Sequence, residues 1–178
     1  MNTYVSVDLD YWGMSEKGYK QSIIRFLNRL KNLNIPIYVT KSHEQILPHL
    51  NRFKVDKIYQ IDFHNDIVKD PVTPRDLNEG TWANFYKYRK DCIFEWRYPD
   101  VYRSFIDGWG RCDWIHSKTD PYEPDQMGYK KVLRRQGLGG IDLHNVKGTS
   151  VTISRNWWDH DDIDFVFDRF DFLKKFKE

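Results

Sequence analysis

Cysteine is scarce in this chain. Cys92 and Cys112 are the only two in 178 residues, too few to staple a fold of this length and without the spacing of a thiolate zinc site, so both read as free thiols. Long apolar runs are absent as well. No window approaches the roughly 18–20 uninterrupted apolar residues of a membrane span. The opening MNTYVSVDLD enters a strand-like pattern without the basic start and apolar stretch of a secretory leader. A cytoplasmic protein with no membrane partner is expected. Nor does one charge prevail: Lys plus Arg total 28 against 26 for Asp plus Glu, a net +2, which gives no broad field for a phosphate backbone, and nucleic acid is not expected. Only 10 Gly and 7 Pro exclude collagen-like and low-complexity classes.

What is there is a folding composition, 40% hydrophobic and 16% aromatic, at a length that suits one core, so residues 1–178 read as a single domain. Residues 3–10 form a β-branched and aromatic run. Residues 16–33 then place Tyr19, Ile23, Phe26, Leu27, Leu30 and Leu33 on one helical face, with Ser15 as N-cap and Asn34 and Pro36 as the stop. A strand over 35–40, a helix over 43–52 and a strand over 55–62 continue the alternation. The class is α/β, a three-layer domain with a mainly parallel sheet.

Further on, Pro71, Pro74 and Gly80 mark a loop, followed by a predicted helix over 81–90 and a strand over 93–98. Residues 100–140 carry Tyr102, Trp109, Trp114 and Tyr122 without a clear period. Their basic run at 130–135 reads as the solvated face of a short helix, with an anion site as the rival. A strand over 151–153 and a closing helix over 161–175, burying Ile163, Val166, Phe167 and Phe170, complete the pattern. Trp157 and Trp158 precede a run of acids in which Asp159 or Asp161 caps that helix, with Lys174 and Lys175 at its negative end. His116 and His144 have no ligand-type neighbours in sequence and read as surface or structural.

Chemistry concentrates in three pieces: Asp8-Leu-Asp10, Ser42-His43-Glu44 and Asp62-Phe-His64-Asn-Asp66. Each falls at or past the C-terminal end of a predicted strand, the edge where open parallel sheets gather ligands. In an extended chain Asp8 and Asp10 share a side, as do Asp62, His64 and Asp66. Four carboxylates crowded there require a counter-charge, since repulsion and desolvation would otherwise force protons onto them. No Lys or Arg is interleaved. The mixed oxygen and imidazole set suits manganese, iron or zinc, and two divalent ions would balance four carboxylates and activate water. Taken singly the pieces have plainer readings: Asp8 and Asp10 as loop acids, Ser42 with Gln45 as a capping box.

The run Asp62-Phe-His64-Asn-Asp66-Ile67 resembles the Asp-Ala-His-x-Asp signature of the arginase and deacetylase superfamily, and Val7-Asp8-Leu-Asp10 resembles its Asp-x-Asp motif. Ser42-His43-Glu44-Gln-Ile-Leu-Pro48 is similar to the segment preceding the signature in a little-characterised arginase-like group, and Gly80-Thr-Trp82 to its later tryptophan motif. The resemblance implies a binuclear metal hydrolase of C–N bonds. Asp8 and Asp62 would bridge two ions, manganese first, with His43 and Asp66 completing one and Asp10 and His64 the other. Asp8, Asp10, Asp62 and His64 would carry the catalysis. By adjacency to these ligands in sequence alone, Glu44, Asn65, Trp12 and Trp82 are expected to line the side of a small-molecule substrate, and a homo-oligomer is compatible with all of this. The strand order is permuted, because here Asp-x-Asp comes first in the chain. No counterpart of a guanidinium-binding carboxylate is found, so arginine itself is not supported as substrate.

Two rivals stand beside it. The first strand also resembles a haloacid-dehalogenase-type phosphatase, with Asp8 as nucleophile, Asp10 as acid/base, Thr40 on phosphate and magnesium as cofactor. Tyr11-Trp12 replaces the small residues which that family places there. The other rival is a non-catalytic, metal-stabilised binding protein presenting its aromatics.

Overall fold

The computed structural model describes residues 1–13, 19–62, 64, 66–67, 73–99, 128–154 and 160–176. Among these residues the frame is one sheet of six parallel strands. In chain order these are β1 (Thr3–Asp8), β2 (Ile37–Thr40), β3 (Lys57–Ile61), β4 (Ile93–Tyr98), β5 (Lys131–Gln136) and β6 (Val146–Thr152). They lie side by side as β2-β6-β1-β3-β4-β5. From β1 the chain leaves toward β2, whereas from β3 it proceeds the other way to β4 and β5. The connections therefore diverge between β1 and β3, and their C-terminal ends frame the crevice that such a switch point opens.

Alternation along these strands explains why both faces are covered. Val5, Val7, Tyr59, Ile61 and Val151 project to one side, where Ile23, Phe26, Leu27 and Leu30 of helix α2 (Tyr19–Lys31) meet them together with Val166, Phe167, Phe170 and Leu173. Tyr4, Ile58, Phe94 and Trp96 project to the other, against Ile46, Leu47, Leu50, Trp82 and Tyr86. The result is the expected three-layer α/β arrangement, with every strand pair parallel. Gly148 is dictated by this packing: a Cβ there would come within 2.8 Å of Phe53 and 2.9 Å of Tyr4. Among the described residues no helix is long and apolar enough to cross a membrane.

Several elements differ from the sequence expectation for identifiable reasons. β1 stops at Asp8, and Asp10 opens a single helical turn, α1 (Asp10–Gly13). α2 ends at Lys31, and Asn34 takes φ 55°, the left-handed conformation that closes it. The helix expected over 43–52 is a 3-10 turn, His43–Ile46, running into one α-turn, α3 (Leu47–Leu50). Its capping box does not form, for the Ser42 hydroxyl turns to Glu44 and Gln45 Oε1 accepts the Lys41 N–H at 3.3 Å.

Instead of a helix over 81–90 there are two 3-10 turns, Trp82–Phe85 and Arg89–Asp91. There the Ala83 carbonyl accepts the Tyr129 hydroxyl at 2.6 Å, and the Ala83 N–H goes to Asp66 O at 3.3 Å. The basic run at 130–135 lies in edge strand β5, not on a helix. Arg134 sits over Trp96 on one face and Arg135 faces Glu95 on the other, the charged edge that discourages further pairing. The closing helix is broken into α4 (His160–Arg169) and α5 (Asp171–Lys174) by Phe170, whose extended backbone turns its ring into the core.

Ser15, Asn65, Pro71, Tyr102, Trp109, Cys112, Trp114, His116, Tyr122, Trp157, Trp158 and Asp159 lie outside the described residues. His144 is exposed, its N–H bonded to Asp142 Oδ1 at 2.9 Å. Cys92 is buried, and burial pushes its thiol up to about 12. In a Cys112→Ser protein, Cys92 should therefore leave a colorimetric thiol reagent unconsumed until denaturant is added. Rapid reaction of the native protein would contradict that burial.

Candidate metal centre

Two aspartates bend the chain at the sheet edge in the same way. Asp8 Oδ1 accepts the Asp10 N–H at 3.2 Å, and Asp62 Oδ1 accepts the His64 N–H at 2.8 Å. These are side-chain-stabilised turns. They replace the extended alternation expected from sequence, and bring the same side chains together by curling instead. Asp66 at φ 53° and Ser154 at φ 46° are both left-handed at this edge, a conformation that non-glycine residues hold only when their surroundings enforce it. What enforces it is the site: Ser154 Oγ donates to Asp8 Oδ2 at 2.6 Å, and Asp66 Oδ2 accepts from Trp82 Nε1 at 2.7 Å.

The groups converge as two triads, Asp8–His43–Asp62 and Asp10–Asp62–His64. Asp62 belongs to both. His43 Nδ1 stands 3.2 Å from Asp8 Oδ2 and 3.0 Å from Asp62 Oδ2, while the other oxygen of Asp62 lies 3.8 Å from His64 Nδ1, itself 3.1 Å from Asp10 Oδ2. Asp66 stands beside the first triad, with Oδ2 2.8 Å from His43 Nδ1. Asp8, expected to bridge, joins the first triad only, its Oδ1 being turned to the Asp10 N–H.

The fit to a cation can be tested on His43. Its Nδ1 is buried and has three carboxylate oxygens within 2.8–3.2 Å, yet none is aligned for a hydrogen bond. Donor atoms about 2.1 Å from one ion, at right angles to each other, stand about 3 Å apart. The spacing and the direction of the nitrogen both suit a shared cation, and the oxygen and imidazole donors suit a transition metal.

The electrostatics agree. Burial, then repulsion from Asp10, raises the Asp8 carboxyl to about 6. Burial and the neighbouring Asp66, Asp10 and Asp8 hold Asp62 well above the ordinary carboxyl range. For His43 burial opposes charge, but Asp66 and the close Asp62 and Asp8 oxygens outweigh it and hold the ring well above its ordinary value. His64 is raised in the same way, chiefly by Asp10, against burial. Asp66 is lowered, since His43 outweighs the opposing effect of its burial.

Without metal, then, the folded protein keeps protons at Asp8 and Asp62 that the unfolded chain has released above pH about 4, and His43 keeps one beyond the pH at which an unfolded histidine loses it. Each raised group contributes stability that fades as pH rises through its folded value. Asp66, being lowered, acts oppositely but below that window. The chelated protein is expected to melt at a lower temperature at pH 8 than at pH 5, and the manganese-loaded protein to show the reverse. Equal pH profiles with and without metal would contradict this.

Of the residues assigned to the substrate side, Trp12 and Trp82 are buried. Trp12 is a core residue against Phe26, its Nε1 donating to Ser22 Oγ at 3.3 Å. Trp82 is fully buried beneath the ligands, stacked on His43 at 4.9 Å and bonded to Asp66. Both corrections have one cause: a large ring next to a ligand in sequence has more area to bury than the crevice exposes. Glu44 is half-buried and takes the Ser42 hydroxyl. Asn65 lies outside the described residues.

Three further residues, not singled out by any motif, support the ligands. Gln60 Nε2 donates to Asp62 Oδ2 and, at 3.0 Å, to Asp66 Oδ2. Ser6 meets His43 Nε2 at 2.8 Å, and Ser154 holds Asp8. For two of them a signal existed: Ser6 and Gln60 are polar residues among apolar neighbours, each two positions before an aspartate and so on its face of the strand.

Compared with known protein families, curated proteins and solved structures, this chain matches none.

Proposed function

We propose that this protein is a metal-dependent hydrolase of arginase-like type, acting on an amide or guanidino C–N bond of a small molecule. The observation that carries the reading is Asp62, shared by two acid and imidazole triads at the switch point of a parallel sheet. Asp8, His43 and Asp62, with Asp66 beside them, would hold one divalent ion, and Asp10, Asp62 and His64 a second, manganese before iron or zinc. Bound there, such ions supply Lewis acidity and a lowered water pKa, so that hydrolysis needs no protein nucleophile. Supporting the arginase-like reading, the permuted strands are still direct neighbours, Val7 of β1 pairing with Ile61 of β3 immediately before the two ligand turns. His64 has 32% of its side chain open while Asp8, Asp10, His43 and Asp62 are buried, so substrate would approach over His64 and Asp10. A buried free thiol suits a reducing, cytoplasmic compartment.

The phosphatase alternative fares worse on geometry. Asp8 is buried and held by Ser154, and Thr40 is separated from it by β6, its hydroxyl bonded to Thr152 at 2.9 Å. Elemental analysis of protein purified without chelator, followed by assay on amide and guanidino compounds, tests the proposal. About two transition ions per chain with metal-dependent turnover would support it. Metal without turnover would leave a binding role, and magnesium dependence insensitive to His64→Ala would favour the phosphatase.

A further inference from the structure

Metal ligands work only if the correct atom faces the ion, and His43 offers two ring nitrogens. Ser6 stands against one of them. It lies two residues before Asp8 on β1, on the same face of the sheet, and its Oγ is 2.8 Å from His43 Nε2. Both residues are buried. A hydroxyl between Val5 and Val7 in the middle of a fully buried strand is costly unless hydrogen-bonded. Here it is bonded: Ser150, its register partner on β6, donates to Ser6 Oγ at 3.5 Å, and the His43 ring meets the same oxygen. On the far side of the ring, Nδ1 points among the oxygens of Asp8, Asp62 and Asp66 with none in line.

The geometry points to Ser6 as a positioning residue of the centre: its hydroxyl accepts the Nε2–H of His43, which fixes Nδ1 as the nitrogen that presents its lone pair to an ion. Outer-shell acceptors of this type orient a histidine ligand and set its tautomer, and their loss costs about 10–100-fold in metal affinity. The role rests on the metal-centre reading above. It differs from that of a polar filler, which would leave the choice of nitrogen and the affinity untouched.

The test uses the whole protein, ¹⁵N-labelled at histidine and loaded with diamagnetic Zn²⁺, with zinc affinity measured by competition with a chelating dye. His43 is expected to show a zinc-bound Nδ1 and an Nε2 proton protected from exchange. Ser6→Ala should bind zinc at this position about 10–100-fold more weakly and lose that protection, and Ser6→Thr, which restores the hydroxyl, should regain both. Zinc bound through Nε2 overturns the proposal. So does a Ser6→Ala protein that melts like wild type and binds zinc as tightly. Should Ser6→Ala not fold, the ring assignment in the wild type decides alone. A chain that binds no zinc at all overturns the metal-centre reading as well, and that result is distinct from zinc binding indifferent to Ser6.

Discussion

Asp62→Asn is expected to empty both metal positions at once while leaving the metal-free protein as stable as wild type or more so. Asp62 is the residue common to the two triads, giving one oxygen toward His43 and the other toward His64. Its loss should exceed, at each position, the about 10–100-fold that removal of an outer-shell partner costs. His43→Ala and His64→Ala should each weaken one position and spare the other. The stability effect has the opposite sign because Asp62 is buried and repelled by Asp66, Asp10 and Asp8. Asparagine removes the charge and keeps the shape: its Oδ1 still accepts the His64 N–H, and its Nδ2, in the place of Oδ2, can donate to Asp66 or to Gln60 Oε1, which accepts no hydrogen bond in the wild type. A functional group that destabilises the fold is a familiar trade. Metal content and chelator-treated melting curves, measured on the three variants, check this. Loss of one ion only in Asp62→Asn, or a large fall in the metal-free melting temperature, would contradict it.

Arg97→Met is expected to cost about 3–5 kcal/mol of folding stability, and Glu95→Leu a comparable amount, whereas the double variant should cost clearly less than their sum. Glu95 is wholly buried on β4, on the face opposite the centre, with Arg97 Nη2 at 2.5 Å and Lys57 also paired to it. Neither Glu95 oxygen receives an N–H in good alignment, so charge more than direction holds the cluster. Removing Glu95 leaves Arg97 buried without a carboxylate, and removing Arg97 takes away the one fully buried counter-charge of Glu95; removing both leaves Lys57 and Arg135, 12% and 58% exposed, which can carry their charges toward water. Arg97 also donates to Gly137 O at 3.3 Å and Gly139 O at 2.7 Å, so the double variant should recover part, not all, of the loss. Denaturant unfolding of the four proteins in the cycle measures the coupling. Strict additivity would show that the ions do not sense each other.

The strands and the centre were legible in sequence to different depths. Asp8, Asp10, His43, Asp62, His64 and Asp66 could be named because each closes a strand-like run or follows one, and parallel sheets collect such residues at one edge. How they meet was not legible: the Asp8 and Asp62 turns depend on side-chain to backbone bonds that alternate-residue reasoning does not contain. The basic run that enters β5 is ambiguous in sequence, because two arginines and two lysines give a helix face and an edge strand the same polarity. Only its neighbours Trp96 and Glu95, nearly forty residues away in the chain, distinguish the two. Trp12 and Trp82 were placed by adjacency, when their rings answer to packing. Ser6 and Gln60 were overlooked because a single polar residue in an apolar strand reads as noise until its partner is known.

Anomalous diffraction from crystals soaked in Mn²⁺ at neutral pH puts the central claim to its most direct trial. Two manganese peaks are expected, one among Asp8, His43 and Asp62 and one among Asp10, Asp62 and His64, with the Asp62 carboxylate between them. Crystals that show no manganese at these side chains, or that bind it only elsewhere on the chain, would contradict the account.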